Sequence, residues 1–283
     1  MMRRQLLLLS ATLGVTPALA GTTEALTTPA SARVWLSRLE VTLGSTPGEV
    51  ALAALACNRD AGAAACTPET FADELGGPRV VVESFWLDRH EVSYREYQRC
   101  VEAGRCSPAR YDGAERLERD DLPVVFVTYD DARAYCSFRG ARLPSEAEFE
   151  RAARGAERRV FPWGSRFHGR AANHGRWGAL GSDDSDGALE LSPVSEFADG
   201  QSPEGIRNLS GNVAEWTSTP YAPYTDVDRP GPDRVVRGGH FLAPPARLRG
   251  AARSHEPANT RAAYLGFRCA MSASTSDVSP RAR

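Results

Sequence analysis

The sequence predicts a single α+β domain, on three observations. Hydroxyl-to-acid capping pairs announce helices in the first half, and β-branched and aromatic runs mark strands towards both ends. Between them lies a stretch of about seventy residues with neither helical nor strand periodicity, of the kind held by side chains rather than by backbone ladders. No internal repeat and no composition break interrupts residues 33–270, so one domain is the economical reading.

The chain opens with Arg3 and Arg4, runs through Leu6 to Leu9 and reaches Ala18-Leu19-Ala20. A basic start, a short apolar centre and a small-x-small end are the parts of a signal peptide, expected at residues 1–20. Residues 21–32 read as a Thr/Ala/Pro linker. Val34-Trp35-Leu36 and residues 39–44 read as short strands, and residues 49–56 as a short Ala/Leu helix. Residues 80–88 have strand density throughout and should give a central strand.

Ser93-x-x-Glu96, Thr128-x-x-Asp131 and Ser145-x-x-Glu148 then fit the capping box, in which a hydroxyl and an acid three residues on satisfy orphan backbone amides. The first helix carries Tyr94, Tyr97 and Val101 on one face and ends at Gly104. The second places Ala132 and Cys136 one turn apart, turning Cys136 to the core. The third follows Pro144, turns Phe149, Ala152 and Ala153 inward and stops at Gly155. After Phe161-Pro162-Trp163-Gly164 the pattern fades into Gly, Asn, Asp, Ser and Pro with scattered Trp177, Phe197 and Trp216. Strands return at residues 234–241, with a glycine bend, and at 264–269. Residues 271–283 read as a Ser/Pro/Arg tail.

Formal charge is −2 over 283 residues, with no basic tract to hold nucleic acid or anionic lipid. No later apolar run is long enough to span a bilayer, so a secreted or periplasmic protein is expected. Six cysteines in such a chain should form disulfides. Six allow fifteen pairings; proximity favours 57–66 and 100–106, leaving 136–269.

Residues 205–216, Gly-Ile-Arg-Asn-Leu-Ser-Gly-Asn-Val-Ala-Glu-Trp, suit neither a regular helix nor a strand. Their backbone should curl through Gly and Asn, bringing side-chain oxygens of Asn208 and Glu215 towards carbonyls of Gly211 and Val213. Such an oxygen cage suits a hard cation such as calcium. The alternative is a tight loop closed by Asn hydrogen bonds with Trp216 anchored in the core.

Further motifs recur in one order: Glu91-Val92-Ser93, Leu122-Pro123-Val124, Asp130 to Cys136, Arg142 to Glu150, Phe161-Pro162-Trp163-Gly164, Gly211 to Trp216, Arg237-Gly238-Gly239 and Gly266 to Ala270. Together they resemble the formylglycine-generating enzyme (sulfatase-modifying factor) family over residues 33–270. The resemblance implies a C-type-lectin-like variant with little regular secondary structure and structural calcium. It implies a Cys136–Cys269 bridge. It also implies one ion held by the side chains of Asn173 and Asp186 with the carbonyls of His174 and Ala188, and a second by Asn208, Gly211, Val213 and Glu215.

The family's oxidases hold copper(I) with two cysteines shortly after Arg-Gly-Gly. Here Ala243 takes the first position, the second falls in a short gap, and no cysteine lies between 136 and 269. Soft thiolates are what Cu(I) requires, so copper is not expected and the chain reads as a pseudoenzyme: a calcium-stabilised binding or scaffold module. The alternative is a divergent oxidase acting on a sulfatase-type protein. His240 and His255 lie near this stretch without forming an H-x-x-x-H pair. Arg247, Arg249, Arg253 and Arg261 either bind a protein or peptide ligand or serve as structural ties.

Overall fold

All three capping signals start helices, each with its reciprocal pair of hydrogen bonds. A computed structural model of the protein describes residues 33–62, 66–176 and 184–274. The leader and linker expected at residues 1–32 and the last nine residues of the tail lie outside the described residues. Helix α2 is Tyr94–Glu102, α3 Tyr129–Phe138 and α4 Glu146–Arg154. An earlier helix, α1 (Pro47–Ala61), extends beyond the expected 49–56 at both ends. A Thr46–Glu49 box with Pro47 at the first position starts it, and left-handed Gly62 stops it. Its buried residues Val50, Ala53, Ala54 and Cys57 share one face.

The expected strand at 80–88 is two: β3 (Arg79–Val82) and β4 (Phe85–Asp88). Opposite them run β1 (Arg33–Leu36) and β2 (Leu39–Thr42). The antiparallel register carries through the break, Leu36 facing Phe85 and Leu39 facing Val82. At the interruption the Arg38 amide donates to Ser84 Oγ at 2.9 Å instead of to a ladder carbonyl. One ribbon is thus divided between two sheets.

A third sheet has the order β7-β6-β5-β8: Arg253–Pro257, Asp233–Arg237, Ala214–Pro220 and Leu265–Gly266, with β5 and β8 parallel. Two expectations change here. Residues 214–216 belong to strand β5, because their backbone pairs with β6 and β8, so the curled stretch ends at Val213. The expected strand at 264–269 divides between sheets: after β8 the chain crosses over and returns as β9 (Ala270–Ser272), antiparallel to β4. Met271 and Ser272 are therefore ordered strand rather than tail.

The core between α2, α3 and the third sheet is aromatic. Tyr135 stacks on Tyr97 at 5.7 Å and meets Phe267 edge-on at 5.5 Å. Trp216 is fully buried and donates its indole N–H to the Val127 carbonyl at 3.1 Å. The disulfides are Cys57–Cys66, Cys100–Cys106 and Cys136–Cys269, the three expected pairings. Against the other face of the sheet, α4 presents buried carboxylates to arginines. Glu146 accepts from Arg237 and Arg253, and Glu150 accepts from Arg237 and Arg154. Among the described residues no helix is long and apolar enough to cross a membrane.

Candidate functional site

The curled stretch before β5 has the backbone its composition predicts. Asn208, Gly211 and Asn212 all take positive φ, at 53°, 84° and 60°. A side chain at position 211 is excluded twice over, since a Cβ there would lie 2.2 Å from the Asn173 carbonyl oxygen. The loop is held by Gly211 N–H donating to the Gly238 carbonyl and Asn212 N–H to the Asn173 carbonyl, both at 2.9 Å. Of the four ligands expected for one ion, Asn208, Gly211 and Val213 lie in this turn, and Glu215 follows as the second residue of β5.

Glu215 has a partner that sequence reasoning did not assign. Arg268 donates to both of its oxygens, at 2.6 and 2.7 Å, with both side chains fully buried. A second buried carboxylate, Glu91, accepts from the amides of Asn208 and Asn212, each at 2.9 Å. Burial pushes the Glu91 carboxyl up to about 7 and raises Glu215 as well, Arg268 opposing both shifts. Arg268 is thus the hydrogen-bonded partner of Glu215 and acts on Glu91 through space. A carboxylate offers about four lone-pair positions, and Arg268 uses one edge of Glu215. An oxygen-only donor set that includes a buried carboxylate fits a hard cation.

In the other expected ligand set, hydrogen bonds link three of the four residues. Asp186 accepts from the His174 amide at 2.6 Å and from the Ala188 amide at 2.8 Å, so its carboxylate ties together the two residues whose carbonyls are the expected ligands. Asn173 commits its amide donors to the Glu190 carbonyl, Ser192 Oγ and Asn212 Oδ1. The last contact ties Asn173 to the turn that carries Asn208, Gly211 and Val213. His174 faces Phe167 edge-on at 5.1 Å, and its ring Nδ1 lies 3.0 Å from the Gly175 carbonyl.

A cleft of about 510 Å³ opens beside β6 and β7, lined among others by Asp73, His240, Ala243, Arg247, His255 and Tyr264. Its walls are paired rings: His240 on Tyr264 at 4.6 Å and His255 on Tyr221 at 3.9 Å. Burial holds the His240 imidazole down at about 4, so it is neutral at physiological pH. His255 Nδ1 lies 2.8 Å from Asp233. The nearby arginines are engaged inside the protein. Arg249 pairs with Glu74, Arg253 with Glu146 and Arg261 with Asp131, while Arg247 donates to the Thr70 carbonyl over the Phe71 ring. All six cysteines are in disulfides.

Glu91, Ser192, Asn212 and Arg268 were not singled out as site residues from the sequence. Asn212 lies inside the curled stretch and Glu91 two residues before the Ser93 cap. Glu91 and Asn212 are 121 residues apart and Arg268 and Glu215 are 53 apart, separations that local spacing does not reveal.

A loop-rich α+β chain of this kind is a C-type-lectin-like variant. Its fold is similar to that of PvdO from Pseudomonas aeruginosa, with a TM-score of 0.64 and 22% identity over 85% of this chain and 94% of that one. It is also similar to variable protein 1 of Treponema denticola, with a TM-score of 0.61 and 18% identity over 84% and 94%. Residues 46–273 match the profile described as sulfatase-modifying factor enzyme 1-like domain, and the chain belongs to that family. It is 41% identical to the inactive C-alpha-formylglycine-generating enzyme 2 of Mus musculus over 57% of this chain and 53% of that protein. It is 36% identical to the formylglycine-generating enzyme of Thermomonospora curvata over 56% and 58%, and 31% identical to the hercynine oxygenase of Mycobacterium tuberculosis over 66% and 45%. The chain spans about half the length of the curated relatives it matches.

Proposed function

We propose that this protein is an exported formylglycine-generating-enzyme-like domain without cysteine-oxidase activity, acting as a calcium-stabilised module that binds a protein or peptide in the cleft beside β6 and β7. The observation that carries the reading is the chemistry of that cleft. Ala243 stands where the family's first copper thiolate is expected, and the six cysteines are all committed to disulfides elsewhere. In place of thiolates the cleft offers stacked rings, whose flat faces suit side chains of an extended peptide. Three disulfides support passage through an oxidising compartment.

Calcium, when bound, supplies positive charge to the buried carboxylates. Asn173, His174, Asp186 and Ala188 would hold one ion, and Asn208, Gly211, Val213 and Glu215 the other. The residues themselves bring Asn173 against the 208–213 turn through its bond to Asn212. Two measurements test the reading. Incubation with Cu(I), oxygen and a Cys-x-Pro-x-Arg peptide should give no formylglycine by mass spectrometry, and clear turnover overturns the loss of oxidase chemistry. Chelation by EDTA should lower the melting temperature, since a ligand held at 100 times its Kd contributes about 2.7 kcal/mol to the native state. An unchanged melting curve removes calcium from the proposal.

A further inference from the structure

Glu91 is a fully buried carboxylate that belongs to neither expected ligand set; it bonds to one set directly and to the other through Asn212. Its Oε2 accepts from Asn208 Nδ2 and its Oε1 from Asn212 Nδ2, each at 2.9 Å. Asn212 passes the connection on. Its Oδ1 accepts from Asn173 Nδ2 at 3.1 Å and from the Ser192 amide at 2.9 Å, while its own backbone N–H donates to the Asn173 carbonyl at 2.9 Å. Asn208 and Asn173 are the two side-chain amides expected to offer oxygen to a cation, one in each set.

An amide that donates in one direction presents its carbonyl oxygen in the other, because the two groups share one planar head. Asn208 Nδ2 is committed to Glu91 and the Val194 carbonyl, and Asn173 Nδ2 to the Glu190 carbonyl, Ser192 Oγ and an Asn212 that Glu91 also holds, so Glu91 is the one carboxylate that acts on the orientation of both amides. Rotation of either amide breaks a hydrogen bond in a buried network, where an unmade bond is costly.

We infer that Glu91 is a positioning residue shared by the two cation sites, so that filling one site favours binding at the other. The inference rests on the calcium reading above, and it concerns a residue that is not itself a ligand. Linkage requires the coupling to be reciprocal: each site strengthens the other by the same factor. The path is short and continuous, running Asn208–Glu91–Asn212–Asn173, and each link is a direct hydrogen bond.

The test is calcium titration by calorimetry on the whole folded protein, in four forms: wild type, Asp186→Asn, Glu91→Gln and the double variant. Glutamine keeps the size of the side chain but replaces one acceptor oxygen by a donor, which opposes one of the two Asn amides. Wild type should bind two ions with positive cooperativity. Asp186→Asn should disable the first site and weaken the remaining one by roughly tenfold, a coupling of about 1.4 kcal/mol. In the Glu91→Gln background the remaining site should bind equally with or without Asp186→Asn. A merely structural role for Glu91 would lower the melting temperature but leave that coupling in place.

Two ions bound independently in wild type, with the second site unaffected by Asp186→Asn, overturn the inference while leaving the calcium reading intact. No calcium bound by wild type overturns both. Should Glu91→Gln not fold, the wild type and Asp186→Asn pair still decides whether the sites are coupled. The side-chain amide resonances of Asn208 and Asn212 then report the path: in Asp186→Asn both should shift together as calcium is added, and a shift of Asn208 alone counts against transmission through Glu91.

Discussion

His240 shows how one buried side chain sets a pH response. Its imidazole lies near 4 in the folded protein against 6.5 when free, because burial penalises the charged ring; His90 is depressed to the same level, by burial first and by neighbouring arginines second. Above pH 6.5 these rings are neutral in both states and their contribution to stability is complete. As pH falls from 6.5 towards 4 the unfolded chain takes up protons that the folded chain refuses, and that stability is lost. His240→Phe keeps a ring against Tyr264 and removes one of the two groups. Urea unfolding at pH 7 and pH 5 should show a smaller drop in midpoint for the variant than for wild type. Equal drops would mean that His240 titrates normally in the cleft.

Helix α4 is the element on which the ionic interior depends. Glu146, its first residue, accepts from Arg237 of β6, Arg253 of β7 and the Tyr224 hydroxyl, and all four side chains are largely or fully enclosed. Removing one partner leaves the others as uncompensated buried charge, so Glu146→Ala should destabilise by about 3–5 kcal/mol. A surface carboxylate such as Glu83, paired with Arg38 in the open, should cost less than about 1 kcal/mol on the same change. Chemical denaturation of the two variants side by side measures the contrast.

Much at this scale was legible in the sequence. The boxes at Ser93, Thr128 and Ser145 specify helix starts through contacts within four residues, and so does the positive-φ backbone of Asn208 and Gly211. Strand β7 was not anticipated, because Arg253-Ser254-His255-Glu256 carries no apolar alternation; its backbone pairs with β6 along the rim of the cleft while the side chains serve the ionic network and the ring stack. The Glu215–Arg268 pair was likewise hidden. Its partners are 53 residues apart and join β5 to the crossover after β8, a relation set by topology rather than by spacing.

For the molecule as a whole, the Cys136–Cys269 bridge is the longest-range covalent tie, joining α3 to the crossover into β9 over 133 residues. Closing so long a loop restricts the unfolded chain by about 5 kcal/mol in the chain-entropy account. Replacing both cysteines by serine should therefore lower the melting temperature by far more than opening the Cys100–Cys106 bridge, which spans six residues. Similar losses for the two would show that the bridges act through native contacts instead.

Strand β4 is the middle member of its sheet, with β1 on one edge and β9 on the other. In the order of synthesis the first neighbour is available early, but the second appears only after almost everything else has been made. Until residues 270–272 emerge, β4 presents a bare edge, and the covalent tie just before them cannot form. One edge of β4 and the tie through Cys269 therefore both wait on the same short segment of chain.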